Sequence, residues 1–409
     1  MAGDQNPRVA VVIPTYNRSA LLRRTLHELT RQSLAQDEFE VVVADDGSTD
    51  GTQAVVDEFE DRLCIRYHFQ EDLGFRAGTA RNAGARISSA PILVFLDTGA
   101  VPGPQFVERH LLSHPANRPP TMCLGYSYGY NPDRPMPSIT PVLARNTPEQ
   151  TLAHFAGNPA FRDLRHESLE ACGFDLQRRN QPWSLSWTIN CSLPAADFHA
   201  VGGFDETFVG WGAEDLELAF RLHRRGLTFL MSMEAWVIET PTERDWDILE
   251  PAFLRNMYAF LDRHPEPEIE IGVRLVDKLR YLDWDQLYGD LLRCTAEAKG
   301  RDVARELRTA VARIGSDERV AVFGCGGSVP AELPPAELLD FDRGLLDAAL
   351  ADGRHTGRHA IGLVTRLPED AVDTVVLTSR LDGLRAEWND DLLAEANRIG
   401  RRVVDLGTT

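Results

Sequence analysis

Apolar residues in the first hundred positions alternate between short unbroken runs and helical spacing. Arg8 to Ile13 is an apolar, β-branched run closed by Pro14-Thr15-Tyr16-Asn17, and Ser19 to Arg31 then carries leucine at 21, 22, 26 and 29. This predicts a strand, a turn and a helix. Phe39 to Ala44 predicts a second strand, closed by Asp45-Asp46-Gly47-Ser48-Thr49-Asp50-Gly51, with helical spacing from Gln53 to Phe59. A strand at Cys64 to Phe69, a helix at Gly78 to Ile87 and a strand at Ile92 to Leu96, ending in Asp97-Thr98-Gly99, continue the series. Strands alternating with helices predict a parallel α/β sheet. Ligands of such sheets collect beyond the carboxyl ends of the strands, where the turns 14–17, 45–50 and 97–99 would lie. Each turn taken singly is equally readable as ordinary loop punctuation.

The pattern then loosens. Residues 102–182 are rich in Pro, Tyr and Arg, with Pro119-Pro120, Tyr126, Tyr128, Tyr130 and a weakly amphipathic stretch from Thr147 to Arg165. This is expected to be a long irregular insertion, either a recognition element or a variable surface excursion. It leads to Gly202-Gly203-Phe204-Asp205-Glu206-Thr207-Phe208-Val209-Gly210-Trp211-Gly212-Ala213-Glu214-Asp215. Apolar residues at 216, 219, 220 and 222 predict a helix beginning there, with the acid pair in its first turn, where the helix dipole favours carboxylates. Trp211 offers a flat face to the C–H side of a sugar ring, and Glu214 or Asp215 can accept a hydroxyl proton. A Gly-rich turn with an acidic helix cap is the structural alternative.

Pro265-Glu266-Pro267 interrupts the chain, and Ile269 to Ile314 reads as helices with an apolar stripe at 275, 276, 279, 282 and 284, expected to bury against a domain or a second subunit. A second alternating series follows. Arg319 to Ser328 predicts a strand-to-Gly-turn unit containing Gly324-Cys325-Gly326, Leu338 to Asp342 a strand ending in an acid, and Leu345 to Ala351 a helix. Val372 to Thr378, Leu392 to Arg398 and Arg402 to Leu406 predict a further strand, helix and strand.

Composition narrows the function. With 409 residues, two domains are expected, and 43% apolar content supports packed cores. A net charge of -19 argues against nucleic acid and anionic membrane surfaces as partners. There is no basic-apolar leader at the start and no apolar run of spanning length, so the expectation is a soluble cytoplasmic protein without stable membrane insertion. Six scattered cysteines, without metal or redox spacing, read as reduced thiols.

The string GGFDE-x-F-x-GWG-x-ED resembles the signature of inverting GT-A glycosyltransferases of family 2 and the related galactosyl- and N-acetylgalactosaminyltransferases. V-I-P-T-Y-N, D-D-G-S-T-D, G-F-R with A-R-N, and a strand ending in Asp resemble the nucleotide-binding half of the same family. The resemblance implies a nucleoside diphosphate sugar as donor, a small-molecule, glycan or peptide acceptor, and Asp215 as the base that deprotonates it. It implies donor contacts from Pro14, Thr15, Tyr16, Asp46, Arg81 and Asp97, and acceptor or sugar contacts from Trp211, Glu214, Trp183 and Asn190. A surface salt bridge is the alternative role for Arg81. Where the family has D-x-D to hold Mg2+ or Mn2+, this chain has Asp97-Thr98-Gly99, and Glu239 stands where a His is common. Asp97 and Glu239 are then the metal candidates.

The last hundred residues resemble the first part of a Rossmann-like methyltransferase, in which the G-x-G turn and the acid ending the second strand hold S-adenosylmethionine. Val329-Pro330 follows in place of an obvious helix start, and the chain stops at Thr409, before the last strands such enzymes use, so a non-catalytic domain serving stability or association is expected. The organisation read from sequence is a GT-A domain at 1–265, a helical connector at 266–312 and a small Rossmann-like α/β domain at 313–409, in a possible homodimer. Two other readings are a catalytically lost glycosyltransferase acting as a sugar-nucleotide or glycan-binding scaffold, and a methyltransferase with an accessory sugar-binding domain.

Overall fold

The computed structural model describes residues 7–132, 134–242, 244–278 and 280–407. It divides into two compact units, Met1–Asn256 and Met257–Thr409.

The first unit is built on an eight-stranded sheet. Its strands are β1 (Val9–Thr15), β2 (Phe39–Asp45), β3 (Ile65–Phe69), β4 (Ile92–Leu96), β5 (Ala100–Pro102), β6 (Thr121–Tyr128), β7 (Asn190–Pro194) and β8 (Thr228–Glu239), in the order β3-β2-β1-β4-β7-β6-β8-β5. The first four pair in parallel, as the alternation predicts. β1, β2 and β4 are covered on both faces, which is why they read as unbroken apolar runs. Leu22, Leu26 and Leu29 of helix α1 (Ser19–Leu29) pack on Val9, Val11 and Ile13.

Beyond β4 the sheet departs from the purely parallel expectation. β7 is antiparallel to β4 and to β6, β6 is parallel to β8, and β5 closes the edge antiparallel to β8. β8 alternates exposed and buried residues, and β5 has only three residues, so neither carries a continuous apolar signal. Helices α2 (Thr52–Asp57), α3 (Ala77–Ile87) and α4 (Phe106–Leu112) belong to the first half of this unit. The stretch 102–182, expected to be irregular, contains α4 and the sheet strand β6 as well as α5 (Ile139–Leu143), α6 (Pro148–His154) and α7 (His166–Ala171). Thr147 and Gln150 close a capping box on α6. Asp163 and Arg165, both wholly buried, form an ion pair that also binds the Leu185 and Gly125 carbonyls. After β7 come α8 (Ala195–Ala200) and α9 (Glu214–Arg224).

Helix α10 (Trp246–Arg263) leads into the second unit, which contains α11 (Pro267–Asp277), α12 (Trp284–Ala298) and α13 (Ala304–Val311). Leu275, Val276 and Trp284 of the predicted stripe are buried; Leu279 lies outside the described residues. Gly272, in the middle of α11, gives room to the Trp284 ring, which a Cβ would meet at 2.1 Å. Strands β9 (Val320–Phe323), β10 (Ala336–Asp340), β11 (Thr356–His359), β12 (Val372–Leu377) and β13 (Gly400–Asp405) form a parallel sheet in the order β11-β10-β9-β12-β13. Helices α14 (Arg343–Leu350) and α15 (Arg385–Ile399) connect β10 to β11 and β12 to β13. β11, a polar and largely exposed edge strand, was not expected. All six cysteines are free thiols, Cys64 exposed and the rest buried. Among the described residues no helix is long and apolar enough to cross a membrane.

Candidate active site

Strand register gathers the three predicted turns at one end of the sheet. Thr15 pairs with Asp45, the Asp46 amide donates to the Thr15 carbonyl at 2.9 Å, and the Thr98 hydroxyl donates to the Pro14 carbonyl at 2.8 Å. Asp46 is buried and accepts from the Gln70 side chain at 2.5 Å and the Arg76 amide at 2.8 Å. Burial pushes its carboxyl above the ordinary range, against those two hydrogen bonds. Tyr16 is 43% exposed and donates its hydroxyl to Asp72 at 2.8 Å. Gly47, at φ +96°, is required here, because a Cβ would lie 2.5 Å from Asp72. Gln70 and Asp72 were not singled out from sequence; a lone amide and a lone acid in a polar loop carry no signal.

The second cluster forms where α3, β4 and α9 converge. Arg81, 4% exposed, donates to Asp97 at 2.7 Å and to Glu214 at 3.3 Å. It is a buried bridge, and a surface salt bridge is excluded. Burial works against its positive charge, but Asp97 and Glu214 outweigh that and hold the guanidinium above its ordinary value. Asp215 is the next residue along α9; burial, and then the neighbouring Glu214 carboxylate, push its carboxyl upward, while Arg81 and the amides of Leu216 and Thr188 pull the other way. Burial likewise raises Glu214, whose Oε2 is buried without a hydrogen-bond partner among the described residues. Ala213, just before the pair, holds φ at +71°, a left-handed conformation that non-glycine residues adopt at a cost of about 1–3 kcal/mol and that recurs at functional sites.

Trp211 is half-buried, makes near-perpendicular contacts with Trp246 and Phe253 at 5.6 and 5.2 Å between ring centroids, and has the Arg244 guanidinium over its ring at 5.7 Å. Arg244 also lies 5.8 Å from the Tyr130 ring centroid, and sequence reasoning missed it as an isolated cation in a polar loop.

Two residues expected at the acceptor site lie in the interior of the chain. Trp183 is fully buried against Phe220, 5.2 Å away, and presents no surface to a ligand. Asn190 is also fully buried; it donates to the Ala235 carbonyl at 2.8 Å and is 2.8 Å from His110 Nε2. His110 and His114 share the Ser192 hydroxyl, and burial pushes their imidazoles down to about 3 and about 4. With the Asn190 amide also donating to the Tyr126 carbonyl, this network ties β6, β7, β8 and α4 together.

The metal candidates are brought near each other by pairing of β5 with β8, which sets Glu239 opposite Ala100, three residues after Asp97. Burial pushes Glu239 up to about 8, with Asp97 adding to the rise and Arg244 opposing it. Its Oε2 is buried with no hydrogen-bond partner among the described residues. That orphaned oxygen fits a cation, but among the described residues no group of three or more His, Cys, Asp or Glu could hold a metal ion unaided.

In the second unit β10 ends in an acid, but at Asp340 and not at Asp342, which caps α14, and the Asp340 carboxylate is taken. Arg380 donates to both Asp340 oxygens at 2.9 Å, and both side chains are wholly buried. The Gly326 amide donates to the same carboxylate at 2.8 Å. The crevice at the strand-order reversal, beyond the ends of β9 and β12, is thus filled by the chain's own ion pair.

Residues 10–167 match the model of glycosyl transferase family 2, and residues 171–241 match that described as the N-terminal domain of galactosyltransferase. Validoxylamine A glucosyltransferase of Streptomyces hygroscopicus subsp. limoneus is 42% identical, over 98% of this chain and 90% of its own. The protein of the same description from strain 5008 of subsp. jinggangensis is 41% identical over 98% and 97%. Chondroitin synthase of Escherichia coli is 30% identical over 54% of this chain and 33% of its own.

Proposed function

Because this chain belongs to glycosyl transferase family 2 and is a glycosyltransferase drawing on a nucleoside diphosphate sugar, we propose that it transfers a glucosyl unit, with inversion, to a hydroxyl of an acceptor of the validoxylamine kind. The substrates are suggested by relatives that are 42% and 41% identical across 98% of the chain.

In this reading Asp215 is the general base. The acceptor oxygen forms its bond to the anomeric carbon as the bond from that carbon to the diphosphate oxygen breaks. The electron pair leaves with the diphosphate, and the acceptor proton passes to Asp215. A carboxylate held above its ordinary pKa is better matched to that transfer than a solvated one. Glu214 and Trp211 position the sugars, and the Pro14–Tyr16 turn and Asp46 hold the nucleotide. Arg81 ties Glu214 to Asp97 and places positive charge where negative charge develops on the leaving group.

Asp97 and Glu239 would hold Mg2+ or Mn2+ together with the donor, because such ions accept few protein oxygens and keep the rest of their shell from water and phosphate. The bound cation would neutralise charge on the diphosphate. Residues 313–409 serve stability or association without chemistry of their own, a reading supported by Arg380 filling the crevice.

The observation that carries this function is the continuous line Asp97, Arg81, Glu214, Asp215. The test incubates the protein with a panel of nucleoside diphosphate glucoses and validoxylamine A. Mass spectrometry should show a gain of one hexosyl unit, and proton NMR an inverted anomeric linkage. Binding of a donor without product from any pairing would favour the scaffold reading.

A further inference from the structure

Ala20, Arg23, Arg24, His27, Glu28 and Arg31 recur at the spacing that puts side chains on one helical face, along α1 and its immediate continuation. Across a groove of about 500 Å3 this face looks onto the segment that joins α5 to α6, from Leu143 to Thr147. Arg23, Arg24, Arg31 and Arg145 bring four guanidinium groups to the groove, against Glu28 as the one lining carboxylate. In a chain of net charge -19 this is a local reversal of sign.

The four cations are not equally committed. Arg23 makes a bidentate pair with Glu58 at 2.9 and 2.7 Å, and Arg31 bonds to Glu28 at 2.6 Å. Arg24 donates one amino group to the Leu143 carbonyl, which closes the groove, while its buried Nε has no hydrogen-bond partner among the described residues. Arg145 is exposed on the opposite wall, and among the described residues no ion pair engages it. Arg145 and the half-buried Arg24, neither of them in an ion pair among the described residues, thus flank a small-molecule-sized concavity. Planar guanidinium forks match the oxygens of phosphate as they do those of carboxylate, and phosphate brings more acceptor oxygens to be shared between two guanidiniums.

We propose that this groove is a second anion site that binds a phosphate-bearing small molecule. None of its lining residues belongs to the donor turns or to the Asp97–Arg81–Glu214 line. The groove is nonetheless connected to the donor end of the sheet. Ser19, the first residue of α1, donates its amide to Asp50 at 2.8 Å, and Asn17 accepts from the Thr49 amide at 2.8 Å. Occupancy of the groove would therefore steady the helix to which the Asp46 loop is tied.

The test is calorimetric titration at low ionic strength of inorganic phosphate and, separately, a hexose phosphate into the wild type, Arg145→Ala, the double variant Arg24→Gln/Arg145→Ala, and Asp46→Ala. Saturable binding weakened at least about tenfold by Arg145→Ala, lost in the double variant and kept in Asp46→Ala is expected, since each guanidinium gives the anion charge-assisted bonds. Tighter binding of the hexose phosphate would make an organic ester the ligand, and equal affinities would make it free phosphate; both uphold the site. Absence of saturable binding, or affinity untouched by Arg145→Ala, overturns the proposal. Arg145→Ala removes an exposed side chain, so circular dichroism should show an unchanged fold.

Discussion

Arg81 on α3 donates a 2.7 Å hydrogen bond to Asp97 at the end of β4, and the other arm of the same guanidinium reaches Glu214 at the start of α9. One buried cation therefore joins the turn assigned to the donor with the acid pair assigned to the acceptor. Arg81→Met should remove both contacts and leave Glu214 buried without its partner, costing about 3–5 kcal/mol. Arg81→Lys has one point charge and cannot span both acids, so it should keep most of the fold and still lose activity. Urea unfolding read alongside turnover checks both; full activity in the Lys variant would remove the bridging role.

Asp215→Asn should abolish transfer, by about 10²- to 10⁴-fold in kcat, with donor affinity nearly unchanged. The same variant should be more stable than the wild type at pH 7 to 8. The folded-state pKa of Asp215 lies above its unfolded value, so its favourable contribution is complete below the ordinary carboxylate range and is lost as pH rises. The thermal advantage of the Asn variant should therefore shrink on acidification toward pH 4. A variant equally stable at all pH values would mean that the buried carboxylate carries no penalty.

In the wild type, activity should fall on the acid side as Asp215 takes up its proton, with a midpoint above the ordinary Asp range. A kcat profile still flat through pH 5 would show that no group of raised pKa acts as base.

Asp46→Ala should weaken nucleotide affinity and spare the chemical step, because Asp46 lies with Gln70 and Arg76, apart from the Arg81 line. Fluorescence titration with nucleoside diphosphates checks this. Equal loss of affinity in Asp46→Ala and Asp215→Asn would mean that donor and base are not separated.

Mn2+ should bind the protein weakly alone and more tightly with nucleoside diphosphate, each ligand raising the other's affinity by the same factor. Two carboxylates, one of them pushed up to about 8, offset little of the ion's dehydration. Calorimetry with and without the nucleotide decides it, and tight binding to the protein alone contradicts the two-carboxylate site. Full activity after exhaustive chelation would show that Arg81 and its neighbours stabilise the leaving group unaided.

The four parallel strands and the start of α9 were legible because each is specified locally. A strand buried on both faces must be apolar throughout, and a helix beginning at an acid pair shows its stripe within two turns. Turn residues at strand ends converge by topology, which alternation alone implies, so the gathering of the three turns and the place of Asp215 in the first turn of α9 could be read from the string. What depended on tertiary structure was every relationship between distant residues. Arg81 finds its partners 16 and 133 residues away, and Arg24 reaches a carbonyl 119 residues away. Trp183 and Asn190 look like ligand-facing residues beside the signature, yet Trp183 is buried against Phe220 of α9, and Asn190 is buried at the start of β7 with its amide bonded to β8. Glu239 becomes a neighbour of the Asp97 turn through pairing with a three-residue strand too short to leave a pattern. Local sequence carries secondary structure because backbone hydrogen bonds and burial periodicity act over a few residues. Which charges meet in the interior is set by chain crossings, and no short window encodes those.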